Sequence, residues 1–132
     1  MGIIYNIFDA VGRILMAGLF LQSGIGKIGS YVATGHYMAA KGVPSMLLPL
    51  VIILEVVGSI AIILGWKTRL FAFGLAAFCI IAALLFHRNF SDLMQSIMFM
   101  KNIAIAGGFL IIFAHGAGDL SLDRKKGKPR RK

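Results

Sequence analysis

Four apolar runs, at about 4–24, 46–64, 70–86 and 96–114, divide this chain, and each is about 17 to 21 residues long. A helix rises 1.5 Å per residue, so roughly 20 residues cross the hydrocarbon of a bilayer. Lipid offers no partner to an open backbone amide, which leaves helices and closed barrels as the only spanning forms. Barrel strands would be about 10 residues long and would alternate in polarity; these runs do neither. The expected fold is therefore all-α: a polytopic membrane protein folded as a four-transmembrane-helix bundle over 1–123, with a basic, disordered tail at 124–132.

Composition agrees. Of the 132 residues, 58% are hydrophobic and 14% charged, whereas soluble domains carry about 25% charged residues. The first run lacks the basic n-region of a signal peptide and is broken by Arg13, so it reads as a retained span. Gly65-Trp66-Lys67-Thr68-Arg69 makes a tight turn between spans two and three, with Trp66 at interfacial height. The longer first connection ends in Lys41-Gly42-Val43-Pro44, punctuation that marks the entry to span two. That connection has room for a short interfacial helix beginning near Ser30.

The net charge of +9 does not point to nucleic acid. Seven of the fourteen Lys and Arg residues lie in the last nine positions: Arg124, Lys125, Lys126, Lys128, Arg130, Arg131 and Lys132. A basic segment beside a span sets topology and attracts anionic lipid headgroups, at roughly 1 kcal/mol per basic residue near the surface. With both termini on one side, that side carries Lys67, Arg69 and these seven; the other carries Lys27, Lys41 and Arg88. Both termini are accordingly expected in the cytoplasm.

Arg13, Glu55 and Lys101 stand inside the apolar runs. Each costs about 2.5–3.5 kcal/mol at the centre of an inserting helix, so such groups face the bundle interior and pair. Arg13 lies one residue from the midpoint of 4–24, and Glu55 is the midpoint of 46–64. A bidentate Arg13–Glu55 contact near the midplane is the expected pairing. Asp9, one turn before Arg13, is the alternative partner. Lys101, beside Asn102, lies about four residues outward of its span centre; it would reach toward Glu55 or present its ammonium to a ligand. Two cations against one anion leave room for a polar pocket holding an anionic or quinone-like ligand, formed by Arg13, Glu55, Lys101 and Asn102. An ion pair that only orients the helices explains the same residues.

Other signals are weaker. The single cysteine, Cys79, excludes an internal disulfide or a CxxC pair. His36, His87 and His115 are too dispersed for a local metal motif. Ala104 and Gly108 have small-xxx-small spacing, which permits close helix contact within the bundle.

Taken in order, Arg13-Ile14-Leu15, Gly24-Ile25-Gly26-Lys27, Gly42-Val43-Pro44, Pro49-Leu50, Leu54-Glu55 with Gly58 and Gly65 with Thr68-Arg69 form a recognisable series. Phe86-His87-Arg88-Asn89-Phe90, Met98-Phe99-Met100-Lys101-Asn102, Gly107-Gly108 and Ser121-Leu122-Asp123 continue it. With this series the chain resembles the DoxX family of small four-helix membrane proteins, over all but the basic tail. The resemblance implies a bacterial inner-membrane protein. Some members are subunits of thiosulfate:quinone oxidoreductases, and others associate with redox or oxidative-stress complexes. The expectation is a membrane subunit of a quinone-linked oxidoreductase assembly. It would carry no redox centre of its own, so a redox partner protein would supply one. Two rival readings are transport or binding of a small solute or lipid, which would call for a homo-oligomer, and a non-catalytic assembly factor.

Overall fold

The computed structural model describes residues 2–87 and 89–125. These form α1 (Gly2–Gly29), α2 (Tyr31–Ala40), a 3₁₀ turn at Ser45–Leu47, α3 (Leu48–Leu64), α4 (Thr68–Phe86), α5 (Leu93–His115) and α6 (Leu122–Lys125). No strand occurs among the described residues. Helices α1, α4 and α5, and α3 together with its 3₁₀ lead-in, are long and apolar enough to cross a membrane.

Local chemistry sets the helix ends. Pro49 falls in the first turn of α3, where its missing N–H is not needed. Gly65 ends α3 in the left-handed conformation at φ +73°, and Trp66 N donates to Ala61 O at 2.8 Å. Asp92 caps α5 by accepting from Met94 N at 3.0 Å. The residue before α4, Lys67, is itself left-handed at φ +47° and places no side chain on the helix N-terminus.

Its cap comes from the far end of the chain. Asp123 accepts from Lys67 N at 2.7 Å and from Thr68 N at 2.9 Å. Burial pushes the Asp123 carboxyl up, but the hydrogen bonds from Thr68 and Lys67 and the charge of Arg13 outweigh it and hold it below its ordinary 3.8. A carboxyl with a depressed folded pKa stabilises the fold above its unfolded value and loses that contribution as pH falls through the folded one. Asp123→Asn keeps only one of the two accepting oxygens and is therefore expected to cost about 1 kcal/mol at neutral pH. The gap from wild type should close on acidification below pH 3.8, which thermal unfolding in detergent across pH would reveal.

Helix α1 packs along α3 and α4 along α5, with α3 against α4 joining the two pairs. The seam is rich in small residues: Ala17, Ala72, Ala76, Cys79, Ala83 and Ala106 are all buried. Such residues let backbones approach, which is how helices gain contact where water drives nothing. Phe20 fills the centre, edge-on to Phe109 at 5.5 Å and to Phe78 at 6.5 Å. Gly108 meets Met16 of α1, while Ala104 faces outward. Outward faces carry Ile4, Leu15, Leu70, Phe73 and Ile111, each more than half exposed. A continuous apolar exterior of this kind is stable against lipid, not water.

Gly24 sets the closest approach of α1 to α3. A Cβ there would stand 2.7 Å from Val56 Cγ2 and 3.1 Å from Glu55 Cβ. Val is stiff at χ1, so the helices themselves must separate. Gly24→Ala is expected to cost about 1–3 kcal/mol, read as a lowered unfolding temperature. Gly12→Ala, with nothing within 4 Å of the added carbon, should be neutral or slightly stabilising.

Two corrections to the sequence expectations arise here. The first span does not stop at Gly24: Ile25 and Ile28 continue its apolar pattern without a breaker, and the helix runs to Gly29. Lys27 therefore belongs to that helix, not to a loop. The tail does not begin as a disordered segment at 124. Arg124 and Lys125 complete α6, and Arg124 Nε donates to Ala117 O at 3.1 Å. Lys126, Lys128, Arg130, Arg131 and Lys132 lie outside the described residues, as does Arg88.

Candidate functional site

Polar groups collect at the two ends of the bundle, and they are different in kind. At the end where the start of α1 meets the segment after α5, Arg13 is the largest fully buried side chain, 1% exposed. Its guanidinium donates from Nη1 to Ile62 O at 2.9 Å and Ile63 O at 3.1 Å, and from Nη2 to Leu120 O. Its Nε pairs with Asp9 Oδ2 at 3.0 Å, and the same oxygen accepts Gly118 N at 2.9 Å. The Ile62 and Ile63 carbonyls belong to the last turn of α3, where the helix dipole is negative. A planar five-donor group is suited to holding three carbonyls and a carboxylate at once. Arg13 thus ties α1 to the end of α3 and to the segment after α5. Four of its five N–H donors are engaged within the protein.

This overturns the expected Arg13–Glu55 pair. Glu55 and Ile62 are seven residues apart on α3, about 10 Å along the axis. Both charges sit near their span midpoints by residue count, but α1 runs five residues past the end of its apolar run at Gly24, which shifts its register against α3. The alternative partner, Asp9, is the one Arg13 meets.

Glu55 is instead held from the other end of α1. It is 2% exposed, and its Oε1 lies 2.9 Å from Lys27 Nζ. Ser23 Oγ donates to Oε2 at 3.2 Å and accepts from Lys27 Nζ at 2.6 Å. Ser23 and Lys27 are one turn apart on α1, so both face α3. The approach of Lys27 to Oε1 is off the direction of a hydrogen bond, so that buried oxygen has a charged neighbour but accepts no directed bond among the described residues.

Glu55 stands on the wall of a cavity of about 290 Å³. Phe20, Phe78, Phe86, Met98 and Cys79 give it an apolar lining, and Ser23, Lys27, Lys101, Asn102 and His87 supply its polar groups. Thr34, Tyr37 and Met38 of α2 also line it, so the short helix after span one is part of the wall. Tyr37 stacks on Phe86 at 5.4 Å, and Lys41 lies 5.8 Å from the Tyr37 ring. Burial, and then the charge of Lys41, push the His87 pKa down, which keeps its imidazole neutral at pH 7.

Of the four residues expected to form one pocket, Glu55, Lys101 and Asn102 share this cavity and Arg13 does not. Lys101 does not pair with Glu55; it makes no ion pair among the described residues. Lys27 and Ser23 were missed as site residues. Their signal was the i, i+4 spacing of Ser23 and Lys27 in a stretch with no helix stop. Among the described residues no three His, Cys, Asp or Glu side chains gather where a metal could be held.

Comparison with known proteins places this sequence in a family. A family model described as DoxX matches residues 8–88, a stretch that contains Arg13, Ser23, Lys27 and Glu55 but ends before Lys101. The chain is 50% identical over 114 residues to inner membrane protein YqjF of Escherichia coli strain K12, covering 86% of this chain and 88% of that protein. It is 32% identical over 123 residues to inner membrane protein YphA of the same strain, covering 87% of each. No solved structure gives a significant match.

Proposed function

The chain belongs to the DoxX family, and we propose that it serves in the bacterial inner membrane as the ligand-binding membrane subunit of an oxidoreductase assembly, its cavity receiving a quinone-type ring. Both relatives carry the name of inner membrane proteins. Lys67 and Arg124 stand at the same end as the start of α1, with Asn6 Nδ2 donating to Asp119 Oδ2 at 3.3 Å there, and Lys27 and Lys41 stand at the other. With the basic excess toward the cytoplasm, both termini face inward and the cavity lies in the outer half of the bilayer. The basic segment 124–132 binds anionic lipid.

The observation that carries the reading is a buried carboxyl group, with Lys27 beside it, on the wall of an aromatic-lined cavity inside a lipid-exposed bundle. A structural ion pair needs no space beside it, whereas a site for a ligand does. Lipophilic rings with polar oxygens match such a lining: aromatic side chains take the ring face, and a few placed polar groups fix its oxygens. Lys101 Nζ and the Asn102 amide are donors for one oxygen, and Glu55 stands near the other. In this reading the chain carries no redox centre of its own, and electrons would pass to or from a partner protein.

The test is to purify the full chain in lipid nanodiscs, extract bound lipids, and add a short-chain benzoquinone. About one quinone per protein is expected in the wild type, with occupancy lost in Lys101→Met and in Ala82→Phe, since Ala82 lines the cavity and a phenyl ring there fills it. Wild-type protein that neither carries nor takes up quinone would overturn the reading.

A further inference from the structure

Within the reading of the cavity as a ligand site, on which this rests, we propose that it opens sideways into the membrane between α1 and α5. Its occupant is a tailed amphiphile whose anionic or acceptor-bearing head reaches Lys101 while the tail stays in the lipid. Three sides of the bundle are packed: α1 along α3, α3 against α4, and α4 along α5. The ring would close between α5 and α1, and there no extended seam forms. Those two helices meet at Met16 against Gly108 and at Phe20 against Phe109, toward the Arg13 end of the bundle. Past that point α5 has no buried residue from Leu93 to Ile105, although α4 is buried at Cys79 and Ala83. Of the residues lining the cavity, three are exposed: Leu19, Tyr37 and Lys101. Leu19 on α1 and Lys101 on α5 flank the unpacked seam, which makes them the rim of a mouth at membrane depth. Tyr37 belongs to α2, and its ring is stacked on Phe86 of α4 at 5.4 Å, so the short helix roofs the cavity on its water side.

Lys101 gives the mouth its chemistry. It stands about 12 Å along α5 from Leu93, deeper than the helix-end lysines that reach the headgroups, and it makes no ion pair among the described residues. Lys27, the other ammonium of the cavity, already faces Glu55 and donates to Ser23. A cation at a lipid-facing opening is matched by a negative charge or an acceptor oxygen, because hydrogen bonds from a charged donor are among the stronger kinds. Asn102 beside it adds an amide. Size sets the rest of the ligand. A cavity of about 290 Å³ is at the small end for a ligand pocket, so it houses a head or ring and leaves a long tail in the seam.

Fluorescence quenching of the full chain in nanodiscs tests this. Trp66 is the single tryptophan, so Trp66→Phe combined with Phe78→Trp leaves one indole, on the cavity wall. Phe86→Trp is the second reporter if the first does not fold, and Phe73→Trp, on the outer face, sets the full effect of lipid contact. The quenchers are dibromostearate, a phosphatidylcholine carrying the same brominated chain, and aqueous acrylamide. Both brominated chains are expected to quench the cavity indole nearly as well as the outer one, and acrylamide to quench it little. Dibromostearate should act at about fivefold lower mole fraction than the phosphatidylcholine, the advantage one ammonium gives an anionic head. Lys101→Met should remove that advantage. Quenching by acrylamide alone would overturn the lateral mouth and place the opening at α2, and quenching by none of the three would overturn it as well. An advantage that persists in Lys101→Met would overturn the role of Lys101. Brominated chains that enter a protein unable to bind quinone would leave the lateral site standing and remove the quinone reading.

Discussion

Arg13→Leu is expected to destabilise the bundle by about 3–5 kcal/mol, the largest effect of any single change. The range is that of a broken buried charge network. Leucine removes the donors to Ile63 O and Leu120 O and leaves the Asp9 carboxylate with Gly118 N and without its cation. Ile62 O retains Gly65 N as a partner at 3.2 Å, so the cost falls mainly on the other three acceptors, at about 1–3 kcal/mol for each buried one left open. Arg13→Lys should recover less than half, because an ammonium cannot reproduce the fork that spans α3 and the segment after α5. Thermal unfolding in bicelles reads the stability. Limited proteolysis reads the release of 116–125, and cleavage there should quicken in Arg13→Leu before the spans themselves unfold. Unchanged unfolding in Arg13→Leu would contradict this account of the clasp.

The second large effect concerns Lys27 and Glu55. Lys27→Met leaves a carboxylate buried without its counter-charge, expected to cost about 3 kcal/mol. Glu55→Gln leaves Lys27, whose side chain is 26% exposed, free to turn toward the membrane surface, and should cost about 1 kcal/mol. The double change should be less damaging than the sum of the singles, with a coupling of about 1–3 kcal/mol. By contrast, Arg13→Leu combined with Glu55→Gln should be additive to within about 0.5 kcal/mol, because the two groups share no partner and stand about 10 Å apart along α3. A strong coupling between Arg13 and Glu55, with none between Lys27 and Glu55, would restore the pairing that the helix midpoints suggested.

That pair illustrates which levels of the structure a sequence exposes. The four spans were readable because run length and the absence of breakers answer to bilayer thickness directly. The need for Arg13, Glu55 and Lys101 to be sheltered was readable because charge in hydrocarbon is costly wherever it occurs. Partner identity was not, since it depends on the register of α1 against α3, which small side chains such as Gly24 allow to slide. Arg13 in addition binds backbone carbonyls of Ile62, Ile63 and Leu120, and a carbonyl has no letter in a sequence. Asp123 is similar: nothing near Thr68 announced that its cap would arrive from 55 residues away. The cavity was half visible. Glu55, Lys101 and Asn102 were marked by polarity within apolar runs, whereas Lys27 was hidden because the apolar run ended three residues before it and the helix did not.

The central claim is that the space beside Glu55 is a ligand site and not a gap between packed helices. Photolabelling tests it most directly, using a photoreactive short-chain quinone on the wild-type chain in nanodiscs, with mapping of the labelled peptides. Label is expected on cavity-lining residues such as Phe86, Met98 and Lys101, displaced by excess unlabelled quinone and reduced in Ala82→Phe. Label spread over outward residues such as Leu15, Phe73 and Ile111, undiminished by competitor, would contradict it.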